Sequence, residues 1–215
     1  MDNLFGVSGR IGSGKDLLCE ILQHLNWRQY VLSIGLLGKG QIGKFETIEE
    51  RSNNTSSFKF ETMPSEFRFE NRKFADTMKD MACIMINCTR DRLENREFKE
   101  AIIPELGVSP REILQKLGTD FGRDMIGQNI WVATLLSQYD DTKKWIISDV
   151  RFPNEADAIK ARGGIVLRIE RPSIISNDQH ESETALDNYS DFDWKITNDG
   201  SIQDLVDKVD EWTNW

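Results

Sequence analysis

Apolar and polar positions along the chain switch repeatedly between a strand pattern and a helical one. Leu4-Phe5-Gly6-Val7 is a short continuous apolar run, the signature of a strand buried on both faces. Leu18, Ile21, Leu22 and Leu25 then recur at helical spacing and predict a helix over 14–25. Tyr30-Val31-Leu32-Ser33-Ile34 has the composition of a second strand. Residues 35–66 break the rhythm. Four glycines (Gly35, Gly38, Gly40, Gly43) precede two segments, 44–48 and 58–62, that alternate apolar and polar about a Ser/Asn-rich turn. That pattern predicts a β-hairpin-like arm inserted in the fold; a partly disordered loop fits the same residues.

Beyond Arg72-Lys73-Phe74-Ala75-Asp76 the helical period returns, with Met78, Met81, Ala82 and Met85 on one face. Thr89 caps a charged helix. Ser109-Pro110-Arg111-Glu112 is a helix start with a serine cap, proline at the first position and an acid in the first turn. Ile113, Leu114, Leu117 and Phe121 form its apolar stripe, Gly122-Arg123-Asp124 punctuates it, and Ile130, Trp131, Thr134 and Leu135 carry another helix. Trp145-Ile146-Ile147-Ser148-Asp149 predicts a strand, 154–162 a helix ending at Gly163-Gly164, and Ile165-Val166-Leu167-Arg168-Ile169 the next strand. A polar stretch over 171–191 comes next, then a strand at Trp194-Lys195-Ile196-Thr197. Ile202, Leu205, Val206, Val209 and Trp212 close the chain with an amphipathic helix. This alternation predicts an α/β fold: one domain over 1–215, with a mostly parallel sheet flanked by helices on both faces.

Composition narrows the function classes. The 215 residues carry 36 acidic and 27 basic side chains, a net charge of −9, without clustered lysines or arginines. Direct binding to a nucleic-acid backbone is therefore not expected. No apolar run reaches membrane-spanning length and no secretory signal precedes the first strand, so no membrane association is expected and the expected location is the cytoplasm. Cys19, Cys83 and Cys88 lack zinc-site spacing and fit buried thiols in a reducing compartment.

The chemistry concentrates in Gly9-Arg10-Ile11-Gly12-Ser13-Gly14-Lys15-Asp16, between the first strand and the first helix. Strand, glycine-rich turn and helix form the setting of a phosphate-cradling P-loop, whose backbone N–H groups make an anion nest at the positive end of the helix dipole. Lys15 adds a cation for the β- and γ-phosphates. The Ser or Thr that ordinarily follows this lysine and holds Mg²⁺ is Asp16 here. Asp149, ending an apolar strand, fits either a Walker B aspartate facing the loop or the cap of a β–α turn; no glutamate follows it directly.

Taken together, Ser8-Gly9 through Asp16, Lys73-Phe74-Ala75-Asp76, Leu114-Gln115-Lys116-Leu117-Gly118-Thr119-Asp120, Asp149-Val150-Arg151, Arg171-Pro172 with His180 and Glu183, and Thr197-Asn198-Asp199-Gly200-Ser201 resemble the P-loop deoxynucleoside monophosphate kinases of tailed bacteriophages. An aspartate after the P-loop lysine recurs in that family, and 35–66 stands out as extra sequence. The resemblance implies transfer of the γ-phosphoryl of ATP to the 5′-phosphate of a deoxynucleoside monophosphate, with Mg²⁺, in the cytoplasm of a host cell. It implies that Gly9, Gly12, Ser13, Gly14 and Lys15 hold the donor phosphates, with Asn198 and Gly200 beside the adenine. Arg123 and Arg151 would take the acceptor phosphate, Arg171 would clamp the transferring group from a lid over 171–191, and His180 would hydrogen-bond within that lid. Asp16 and Asp149 would stand near Mg²⁺, through water, or near the acceptor sugar. A homodimer is among the expected partners, and in a nucleotide-binding assembly protein the arm would be the interface. Competing readings are a kinase resembling dephospho-coenzyme A kinase, a nucleotide-dependent switch or motor ATPase, and a nucleotide-binding assembly protein without chemistry.

Overall fold

Residues 3–36, 45, 63–174 and 180–213 are described by the computed structural model. In chain order the elements are β1 (Leu4–Ser8), α1 (Lys15–Ser33), β2 (Glu70–Arg72), α2 (Asp76–Met85), α3 (Arg90–Glu94), α4 (Arg96–Glu100) and α5 (Pro110–Lys116). Then come a π-helix (Leu117–Ile126), α6 (Ile130–Leu136), β3 (Trp145–Val150), α7 (Pro153–Lys160), β4 (Ile165–Glu170), α8 (Glu181–Thr184), β5 (Trp194–Thr197) and α9 (Ile202–Thr213). The sequence reads as one domain; the fold groups the chain into two compact units, Met1–Arg72 with Asp140–Trp215, and Lys73–Tyr139.

The first unit is the α/β body. Its five strands run parallel in the order β2-β3-β1-β4-β5. Phe5 and Val7 of β1 join Leu18, Ile21, Leu22 and Leu25 of α1 and Leu205, Val206 and Val209 of α9 in one apolar cluster. The alternate positions of β1 face the other way. A Cβ on Gly6 would come within 2.7 Å of the Ile159 side chain of α7, so a larger residue there would push that side chain aside. Helices therefore cover both faces of this sheet, and each fully buried Leu or Ile contributes about 1.5–3 kcal/mol.

One sequence expectation changes here, and one strand is new. Residues 30–33 form the last turn of α1 and not a strand. Trp27 and Val31, four apart on one face, bury against Met63, and this packing overrides the β-branched composition. Gly35, at φ +65°, ends the helix, with the Leu36 N–H donating to the Val31 carbonyl at 3.0 Å. β2 was not foreseen, because Glu70-Asn71-Arg72 is polar; as a three-residue edge strand it needs only backbone pairing with β3. Of the proposed arm, residues 37–44 and 46–62 lie outside the described residues. Phe45 packs edge-on against His24 and Met63 is buried.

The second unit is helical. Ala82 of α2, Leu93 of α3, and Ile113, Leu114 and Leu117 form its core, with Met78, Met81, Cys83 and Cys88 partly buried against it. The start of α5 is as expected: Glu112 N–H donates to Ser109 Oγ at 3.2 Å and Glu112 Oε2 accepts from Ser109 N–H at 2.8 Å. Past Lys116 the simple apolar stripe gives way. The chain does not break at Gly122-Arg123-Asp124 but widens into the π-helix, which turns Phe121 out to solvent. Trp131 occupies the inside of that turn. Its Nε1–H donates to the Gly118 carbonyl at 2.9 Å, and a Cβ on Gly122 would fall 2.5 Å from its ring. Met85 is likewise exposed, so only Met78 and Met81 of the predicted methionine face reach the core.

Candidate active site

β1 ends at Ser8, which pairs with Val150 of β3 on one side and Arg168 of β4 on the other. The turn after β1 thus emerges at the carboxyl edge of the three central strands, where open parallel sheets bind ligands. Its shape is dictated by glycine. Gly12 and Gly14 adopt φ of +76° and +101°, and a Cβ on Gly9 would lie 2.6 Å from the Ile169 carbonyl oxygen. From the turn after β5, Asn198 is buried against the loop and its Nδ2–H donates to the Ser13 carbonyl at 2.9 Å. Ser13 Oγ is itself buried, with no hydrogen-bond partner among the described residues. A buried donor of this kind suits a bound anion.

Lys15, the first residue of α1, folds back over this loop. Its ammonium donates to the Gly9 carbonyl at 2.6 Å and the Arg10 carbonyl at 2.9 Å. Burial pulls its pKa from 10.5 down to about 8, and the nearby Arg151 guanidinium pushes the same way, while Glu183 and Asp16 oppose them. Arg151, just past β3, donates to Glu183 of α8 and to Ser182 Oγ at 3.3 Å. Glu183 Oε2 also accepts from the Ile11 N–H of the loop at 3.0 Å. The Arg151 backbone is fixed in turn by buried Glu155, whose Oε2 accepts from Arg151 N–H at 2.8 Å and Phe152 N–H at 3.1 Å.

A second charged group supports the first. Arg168, buried in β4, donates to Ser8 Oγ and to Asp187 Oδ1, both at 3.1 Å, and Arg10 donates to the other oxygen of Asp187. A buried guanidinium paired in this way fixes the strand end beneath the loop. The composite is a cradle of backbone amides with Lys15, Arg151 and Arg168 around it, an arrangement able to bind and align phosphates.

The other predicted residues lie on several elements. Asp16 is exposed in the first turn of α1, and Asp149 lies at the carboxyl end of β3, beside β1. Gly200 leaves room for Asp204, whose Oδ2 accepts from Ser201 N–H at 2.7 Å and caps α9. Arg171 is exposed just after β4. Arg123 belongs to the second unit, where it is 6% exposed on the π-helix and donates to the Gln128 carbonyl. Of the predicted lid, residues 175–179 lie outside the described residues. His180 Nδ1 accepts from Ser182 N–H at 3.2 Å and so caps α8. Sequence reasoning passed over Glu155, Arg168, Asp187 and the contact of Glu183 with the loop. Two had signals: a charged residue inside an apolar strand for Arg168, and a glutamate at the third helical position after proline for Glu155.

A parallel α/β sheet with a glycine-rich, lysine-bearing turn between its central strand and first helix defines a P-loop nucleotide-kinase fold. Comparison with known families carries the assignment further. The chain belongs to the deoxynucleotide monophosphate kinase family, whose model matches residues 46–209, and it is a phosphotransferase. That match includes Asp149, Arg151 and Arg123 but not the glycine loop, which stands on its own geometry. The chain is 36% identical over 106 residues to the deoxynucleotide monophosphate kinase of Enterobacteria phage T4, covering 47% of this chain and 44% of that protein. It is 33% identical over 100 residues to the deoxynucleoside-5′-monophosphate kinase of Escherichia phage T5, covering 42% and 40%. A protein of Acanthamoeba polyphaga mimivirus, provisionally named for the same activity, is 32% identical over 157 residues, covering 66% of this chain and 81% of the relative. The matched part thus spans a little under half of each of these phage relatives. Among the described residues, no helix is long and apolar enough to cross a membrane.

Proposed function

We propose that this protein transfers the γ-phosphoryl group of ATP to the 5′-phosphate of a deoxynucleoside monophosphate, giving ADP and the deoxynucleoside diphosphate. The observation that carries the reading is the glycine cradle between β1 and α1, with Lys15 and Arg151 beside it at the carboxyl edge of a parallel sheet. Phosphoryl transfer asks a protein for alignment and charge neutralisation more than for covalent chemistry, and these residues supply both. The loop amides and Lys15 hold the donor phosphates. Arg151, with its backbone pinned by Glu155, meets the acceptor phosphate and, beside Lys15 at the loop, also the terminal phosphoryl group of the donor; Arg123 and Arg171 are further candidates for the acceptor charge. Lys15 must leave the carbonyls of Gly9 and Arg10 to reach a phosphate, an exchange of neutral acceptors for charged ones.

Mg²⁺ belongs with the ATP. No group of three or more His, Cys, Asp or Glu among the described residues could hold a metal ion alone. The ion is carried mainly by phosphates and water, with Asp16 and Asp149 as its protein partners. Such an ion neutralises charge on the phosphates. The free thiols of Cys19, Cys83 and Cys88 support a reducing compartment, the cytoplasm of a host cell.

The test is a coupled ADP assay with each of dAMP, dCMP, dGMP and dTMP, followed by chromatography of the nucleotides. ADP release should jump with one or more acceptors, and the matching diphosphate should appear in equal amount. Brisk ATP hydrolysis indifferent to all four, or no turnover with any, would overturn the reading.

A further inference from the structure

The Glu183 carboxylate already sits where the loop offers its donors. It is 9% exposed, and it accepts from the Ile11 N–H of the glycine loop and from the Arg151 guanidinium. These are two groups a phosphate would seek at this edge. The placement is built. His180 Nδ1 caps the short helix α8 at Ser182, the Thr184 hydroxyl donates to the His180 carbonyl, and Leu186 is buried behind them. The neighbouring acid Asp187 is spent on Arg10 and Arg168, so Glu183 alone of this pair faces the loop amide and Arg151.

Resting on the reading that the loop binds phosphate, we propose that Glu183 is an internal stand-in for phosphate. It competes with the incoming phosphoryl group for Ile11 N–H and Arg151, and so sets the apparent affinity of the site. A carboxylate brings one negative charge to these donors, whereas a terminal phosphoryl group brings nearly two and more acceptor oxygens. A nucleotide therefore wins the exchange, and Arg151 passes from Glu183 to the phosphate. Until it does, only the fraction of molecules with Glu183 displaced is competent, and apparent affinity falls by that fraction.

The experiment is calorimetric titration of the whole chain with sodium tripolyphosphate, which has no base or sugar, and separately with Mg-ATP. Wild type, Glu183→Gln and Glu183→Ala are compared, with thermal melts to confirm folding. Removing the charge should tighten both probes about tenfold, equivalent to ~1.4 kcal/mol, and by the same factor for each because the competition is for phosphate alone. If wild type binds and the folded variants bind equally or more weakly, Glu183 does not compete and the proposal falls. Tightening of Mg-ATP without tripolyphosphate would also overturn it. If wild type binds neither probe, the phosphate-loop reading itself fails. Glu183→Gln keeps the volume and an acceptor oxygen, so failure of both variants to fold would make Glu183 a structural residue and end the proposal.

Discussion

Raising the pH through 8 should discharge Lys15 in the nucleotide-free enzyme well before an ordinary lysine loses its proton. Burial, aided by Arg151, brings this ammonium from 10.5 to about 8. The quotient kcat/KM for ATP reports the free enzyme, so it should follow the protonated fraction. It should be down to about one half at pH 8 and one tenth at pH 9, a further tenfold for each unit beyond. Bound phosphates favour the charged form, so kcat at saturating ATP should hold to higher pH. Stability moves in the opposite direction. Below pH 8 both folded and unfolded chains hold the proton, and the folded state bears the cost of burying it. Between 8 and 10.5 only the unfolded chain still binds that proton, so this group makes stability rise with pH, by about 3 kcal/mol at most, and the gain is complete above 10.5. Initial rates from pH 7 to 10, with urea melts of wild type and Lys15→Met over the same range, measure both effects. The variant should show a smaller rise between 8 and 10.5, with only the share of other buried lysines such as Lys144 left, and should lose most turnover. A kcat/KM flat to pH 10, or the same pH slope of stability in both proteins, would refute the argument.

Two further substitutions test the supports around the site. Asn198→Ala leaves the buried Ser13 carbonyl without its side-chain donor, at a cost of about 1–3 kcal/mol, and should raise KM for ATP more than it lowers kcat; unchanged urea midpoints and kinetics would show that the loop holds itself. Gly122→Ala drives a methyl group into the Trp131 ring and should cost about 1–3 kcal/mol in thermal melts; a wild-type melting temperature would mean that the π-helix has slack the packing does not show.

The sequence by itself determined the local features. The P-loop between β1 and α1, the capped start of α5, the strands at 145–150, 165–170 and 194–197 and the terminal helix all come from short-range rules. Apolar period, Gly and Pro placement and side-chain caps act within a few residues, so they are legible without the fold. Tertiary structure decided whatever depends on a partner distant in the chain. Residues 30–33 stay helical because Met63 and Trp27 bury that face, and Glu70-Asn71-Arg72 becomes a strand because β3 offers an edge. Phe121 turns outward because Trp131 occupies the inside of the π-helix. The site shows the same division. Lys15 and the glycines announce a phosphate cradle. Only folding brings Glu183 to the Ile11 amide, 172 residues away in the chain, and Asn198 to the Ser13 carbonyl, 185 away. Propensity and periodicity carry no term for such pairs. They form because the parallel sheet sets the ends of β1, β3, β4 and β5 along one edge, where the loop can collect donors and acceptors from turns that the sequence keeps far apart.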